Sequence, residues 1–231
     1  MTIFDADILH YYAFYFLFGV LLLPLGSRAL FGVLVGLNIA FAIMILTLNY
    51  DAGWNWDDYT YSGFWTPIGF IRNLFFNGWH PVIPWLGFLL FGIILSRIAL
   101  AERATQLKLV AGGAVAFVIA EGLSTLLKAQ LTPIAPELAE LATTEPVPPM
   151  LLYTLAGLGA ACVVVGVCLL ISDRLKAMGV LRLVVPAGRQ TLTLYIAHIL
   201  VGMGTLEALG MLGGQTIGQA VGASLLFCFA A

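Results

Sequence analysis

Arg72-Asn-Leu-Phe-Phe-Asn-Gly-Trp-His80-Pro-Val-Ile-Pro-Trp-Leu-Gly-Phe-Leu-Leu-Phe-Gly92 is the stretch that decides how the rest of the chain is read. It opens amphipathic and aromatic, turns at Asn77-Gly78, and then enters a long apolar run. Pro81 and Pro84 suit a first helical turn, where a missing N–H costs nothing because those donors have no intrahelical partner. That spacing puts His80 at the cap of a membrane helix. Trp79 and Trp85 then lie at headgroup depth, where an apolar ring with one polar N–H is most comfortable. Arg72, Asn77 and His80 are thereby gathered at one membrane surface, the most evident chemical cluster in the sequence.

Working outward, composition sets the class. Hydrophobic residues make up 61% of the 231, charged residues 10%, and the mean hydropathy is +1.01. A soluble domain carries roughly 25% charged residues, so this chain cannot clothe a globular surface in water. It is a multi-pass membrane protein. Asp5 and Asp7, rather than a basic stretch, precede the first apolar run, so that run is not a cleavable signal peptide. Cys162, Cys168 and Cys228 lie in apolar segments without a Cys-x-x-Cys pair, as small buried hydrophobes do. There is no metal-ligand spacing such as His-Glu-x-x-His, no phosphate-cradling Gly-Lys-Ser/Thr loop and no basic face for nucleic acid.

The expected fold is all-α: a polytopic transmembrane helical bundle of about seven spans, forming a single domain over 1–231. The apolar segments run over 8–25, 29–48, 81–98, 107–127, 150–171, 192–212 and 217–231. Most approach the ~20 residues that carry a helix across ~30 Å of hydrocarbon. Helices follow because lipid leaves every backbone group to be satisfied within its own segment. Gly112-Gly113 and Gly157-Leu-Gly159 invite close helix packing, and Asn38 reads as interhelical glue. The last segment has only fifteen residues and no polar flank, so it reads as an incomplete span. Both ends look cut, as in a central fragment or a shortened homologue.

Orientation follows from Lys and Arg. With the N-terminus outside, eight of the ten basic residues fall on inner loops: Arg28, Arg97, Arg103, Lys108, Arg174, Lys176, Arg182 and Arg189. The acidic clusters Asp51, Asp57, Asp58 and Glu137, Glu140, Glu145 then fall outside. The outer loop 49–79 interleaves those first acids with Trp54, Trp56, Tyr59, Tyr61, Phe64 and Trp65, and its part over 67–76 has helical spacing suited to the interface. The second outer loop, 128–149, is rich in proline and is expected to be helical around 136–142.

His10 and His80 lie on the outer side, where a histidine serves as a general base on a hydroxyl or amine, with Asp5, Asp7, Asp57 and Asp58 near enough to orient it. The plainer alternative is that both bond to headgroups or loop carbonyls. His198 lies well inside the sixth segment, sharing a face with Tyr195. It fits a cavity or a hydrogen bond to a neighbouring helix equally.

Three blocks stand in order: Asp7-Ile-Leu-His-Tyr-Tyr12, then Arg72 to Trp85 with Leu89-Leu-Phe-Gly92, then Gly188-Arg-Gln-Thr-Leu-Thr-Leu-Tyr-Ile-Ala-His198. Together they resemble bacterial multispanning proteins similar to heparan-alpha-glucosaminide N-acetyltransferase, including the YeiB-like group, within the transmembrane acyltransferase superfamily. The resemblance implies acyl transfer across a bacterial inner membrane, from acyl-CoA bound at the cytoplasmic side to an acceptor sugar or polymer outside. It also implies that the family's catalytic histidine belongs to a segment upstream of this chain, and makes His80 a motif residue.

Two functions are therefore expected. In the first, a membrane acyltransferase, His80 takes a proton from the acceptor, Arg72 and Asn77 complete the outer site, and His198, Arg182 and Arg189 hold the acyl-CoA donor. In the second, the chain is a catalytically silent subunit packed against other membrane proteins in a larger complex. The bilayer is the partner in both.

Overall fold

The computed structural model describes residues 8–211 and 215–230, with the backbone alone at 183 and 228–230. Its contacts group into a unit of Ile8–Leu170 and a second unit whose described part begins at Ile171. The first unit starts with α1 (Leu9–Leu22) and α2 (Ser27–Thr47). A short hairpin follows, β1 (Trp54–Asn55) and β2 (Thr60–Tyr61), antiparallel with Trp54 opposite Tyr61. Next come α3 (Pro67–Arg72), which continues as a π-helical turn over Asn73–Asn77, then α4 (Val82–Leu95), α5 (Arg103–Leu131) and α6 (Pro136–Leu141). The unit boundary falls inside α7 (Leu151–Ala177). Beyond it lie α8 (Leu181–Arg189), α9 (Thr191–Ala197), a second π-helical turn (His198–Met203), α10 (Gly204–Ala208) and α11 (Ile217–Ala230).

Each apolar segment is helical where described, but the lengths differ. Ser27–Thr47, Arg103–Leu131, Leu151–Ala177 and the composite Thr191–Ala208 are long and apolar enough to cross a membrane. Pro67–Asn77 and Val82–Leu95 meet at 49° and make a fifth crossing if the bent pair counts as one. Leu9–Leu22 and Ile217–Phe227 are apolar but shorter.

Within the first unit, α2 packs along α4, and α1 joins them. Tyr11, Tyr15, Leu30, Leu74, Val82, Leu86 and Leu90 are buried at the centre. The opposite faces stay apolar and exposed, as with Phe16, Val20 and Leu21 in α1 and Ile39, Ile43 and Leu46 in α2. Patches of that extent suit lipid rather than water. At the other end of α1 from Tyr11, the Arg97 guanidinium donates to the Leu25 and Leu23 carbonyls at 2.6 and 2.8 Å. Leu23 is the cap residue of α1 and Leu25 lies in the link to α2, so the cation satisfies carbonyls at the helix end and meets the negative end of the helix dipole.

Helices α5 and α7 meet backbone to backbone. A Cβ at Gly113 would stand 2.5 Å from the Gly159 carbonyl, and one at Gly159 would stand 2.7 Å from the Gly113 carbonyl. Of the expected pairs, Gly113 and Gly159 face one another, Gly157 faces Phe88, and Gly112 faces open space. Asn38 differs from expectation too. Its Nδ2 donates 3.0 Å to Leu34 on its own helix, because a short amide reaches the carbonyl one turn back more easily than a neighbouring helix.

Candidate functional site

The site is a bend held by one helix face. Thr66 caps α3 by accepting from the Gly69 N–H at 3.1 Å, and Pro67 follows at the first helical position. The helix then widens into the π-helical turn, which buries Asn73, Leu74, Phe76 and Asn77 and ends when the Gly78 N–H donates to the Asn73 carbonyl at 2.9 Å. Tyr11 lies 0% exposed and donates 2.7 Å to Asn73 Oδ1. One turn further along α1, the Tyr15 hydroxyl donates to the His80 carbonyl. Gly78 is where these groups crowd together: any Cβ there would overlap the Tyr11 hydroxyl and the Asn73 carbonyl. The two tyrosines thus clamp both sides of the bend, a role the sequence reading missed. Its only local signal was two tyrosines spaced i, i+4 on an apolar helix.

His80 lies in the break over 78–81, outside both helices. Pro81, rather than His80, occupies the cap of α4. Ile83 is then extended (φ −101°, ψ 115°), because a following proline disfavours the α region. The imidazole meets Trp85 edge-on with ring centres 4.7 Å apart, and Tyr11 at 6.0 Å. Trp85 in turn meets Tyr153 of α7 at 5.5 Å. His80 Nδ1 and Trp85 Nε1 are both buried without a hydrogen-bond partner among the described residues. An orphaned buried polar atom costs roughly 1–3 kcal/mol, a cost that a bound polar group relieves. Burial holds the His80 pKa below its ordinary value, and the nearby His10 pushes the same way. The ring is therefore neutral and free to take a proton at neutral pH.

Arg72 and Asn77 form a second knot joined through Tyr61. The Tyr61 hydroxyl accepts from Arg72 Nε at 2.8 Å and donates to Asn77 Oδ1 at 3.0 Å. Asn77 is 0% exposed, and its Nδ2 donates to the Tyr50 and Ala52 carbonyls at 2.7 and 2.9 Å. Its backbone carbonyl accepts from Trp54 Nε1. All the polar atoms of its side chain are thus engaged in tying the outer loop to the bend. Around that tie, Trp54 stacks on Trp56 at 4.7 Å and meets Trp79 at 5.1 Å, so much of the loop's aromatic surface is internal, while Trp65 is 82% exposed.

The structure brings Arg72 together with Asn77, and His80 together with Tyr11, Tyr15 and Trp85. Tyr11 bonds to Asn73 in the π-helical turn and faces His80. His10 lies against Tyr11 at 3.8 Å and Phe64 at 5.9 Å. Asp57 and Asp58 are in the exposed hairpin, where Asp58 accepts from Thr60, and neither bonds to a histidine among the described residues. Asp5 and Asp7 lie outside the described residues. His198, Arg182 and Arg189 belong to the second unit. There His198 stands 6.0 Å from Tyr195 and 6.1 Å from Phe227, facing a cavity of about 530 Å³ that Gly202, Gln219 and Ser224 also line. Arg182 and Arg189 are exposed on α8.

Compared with known proteins, residues 3–131, more than half of the chain, match the family model described as heparan-alpha-glucosaminide N-acetyltransferase, catalytic. The matched stretch contains α1, the aromatic loop, the bend and His80, while the 188–198 block lies beyond it. No curated protein and no solved structure matches the chain.

Proposed function

We propose, for a chain that belongs to the heparan-alpha-glucosaminide N-acetyltransferase catalytic family, that it transfers an acyl group from cytoplasmic acyl-CoA to an acceptor outside a bacterial inner membrane. The observation that carries this reading is the pair of orphaned buried nitrogens, His80 Nδ1 beside Trp85 Nε1, in the matched part of the chain. An acceptor hydroxyl or amine placed there relieves both. His80 takes the acceptor's proton as the acceptor atom bonds to the acyl carbon, the carbon–sulfur bond breaks, and coenzyme A leaves as a thiolate that is then protonated. Arg72 holds an anionic group of the acceptor or the developing oxyanion. Asn77 acts by fixing the loop that carries Tyr61. On the donor side, within the second unit, Arg182 and Arg189 hold the phosphates of coenzyme A, and the cavity beside His198 takes a part of the donor.

This assignment goes with seven spans and an outside N-terminus. Two things support it: the basic residues concentrate on one set of loops, and Arg97 bonds to the same end of α1 that precedes Arg28. The test uses vesicles of both orientations holding the full chain, given acyl-CoA on one side and a hydroxyl or amine acceptor on the other. Transfer is expected only with the donor on the side of Arg182 and Arg189. If the wild-type chain transfers no acyl group in either orientation, the silent-subunit reading replaces this one.

A further inference from the structure

Between the end of α2 and α3 lies a groove of about 460 Å³, lined by Met44, Leu48, Ile68, Ile71, Phe75 and Arg72 among others. That size falls in the range of about 300–1,000 Å³ occupied by small-ligand pockets. Its rim is aliphatic and open: Ile68 is 77% exposed, Ile71 58% and Leu48 52%. Arg72 brings a cation to this apolar wall. The guanidinium is anchored on Tyr61, through Nε to its hydroxyl at 2.8 Å and over its ring at 5.7 Å. No carboxylate pairs with it among the described residues. The acids of the loop are occupied elsewhere or turned outward: Asp51 accepts from Trp56 Nε1 at 2.8 Å, Asp58 accepts from Thr60, and Asp57 is exposed. A half-buried cation without a counter-ion leaves charge and donors for an incoming anion.

We infer that this groove binds an anionic phospholipid, its phosphate on Arg72 and one acyl chain along Met44, Leu48, Ile68 and Ile71. The occupant must be apolar over most of its length and negative at one end. A soluble phosphorylated or sulfated sugar would leave the aliphatic walls bare, and a lipid with a neutralising ammonium would compete with Arg72 for its own phosphate. The inference rests on the proposed role of Arg72 as an anion holder, but not on turnover. A chain that binds anionic lipid and transfers nothing therefore separates the two.

The experiment titrates the full chain, in neutral detergent, with phosphatidylglycerol and phosphatidylcholine of identical acyl chains, and reads bound lipid by native mass spectrometry. The wild type is expected to prefer phosphatidylglycerol by about tenfold, the worth of one added charge-assisted contact. Arg72→Gln should abolish the preference, and Arg72→Lys should keep part of it. Met44→Trp fills the groove, leaves Arg72 in place, and should weaken both lipids, so it carries the test if Arg72→Gln fails to fold. Three outcomes overturn the inference: equal binding of both lipids by the wild type, unchanged preference in Arg72→Gln together with Met44→Trp, or a dimer cross-linked through Ile68 and Ile71.

Discussion

His80 is held by its backbone, and its half-buried ring is packed among aromatic side chains. Tyr15 fixes its carbonyl, Tyr11 and Trp85 face the imidazole, and Nδ1 has no hydrogen-bond partner among the described residues. Asn77 is the reverse case, a side chain with every polar atom taken. Replacing Asn77 by Ala removes its bonds to the Tyr50 and Ala52 carbonyls and to the Tyr61 hydroxyl, which at about 1 kcal/mol per lost bond lowers stability by roughly 3 kcal/mol. Thermal unfolding of the purified variant should show this loss, and a variant as stable as wild type would contradict the role. At this scale the Arg72, Asn77 and His80 cluster was legible, because its residues are close in sequence. The division of labour within it was not. Asn77 is committed by Tyr50, Ala52 and Tyr61, which come 16 to 27 residues earlier, and no local pattern announces a loop folding back over that distance.

At the scale of elements, apolar length and helical spacing located the helices, and the helical turn near 136–142 was found as α6. Two features depended on neighbours that the sequence does not align. The first is the start of α4, where the expectation of an early helical turn gave way at Ile83 to the steric demand of Pro84. The second is the phase of the glycines. Gly112 and Gly113 look alike along the chain, yet only Gly113 has the α7 backbone against it. Gly113→Leu should therefore push α5 and α7 apart and lower the unfolding temperature sharply, whereas Gly112→Leu, pointing into open space, should be close to neutral. Equal effects of the two changes on thermal unfolding in detergent would remove the crossing from the account.

At the scale of the whole molecule, composition alone decided that lipid is the solvent, and the exposed apolar faces of α1 and α2 agree. Sidedness is an inference from the positive-inside bias. In a cysteine-free background, Ser62→Cys should react with an impermeant thiol reagent from outside, and Ala177→Cys should not. The opposite pattern would invert the topology and place the aromatic loop in the cytoplasm. The proposed transfer turns on His80, and replacing that residue tests it most directly. His80→Ala, purified and reconstituted beside wild type, should fold with an unchanged unfolding temperature. It should transfer acyl groups at least ~10²-fold more slowly, the scale of a lost general base. Transfer by His80→Ala at the wild-type rate would contradict the account.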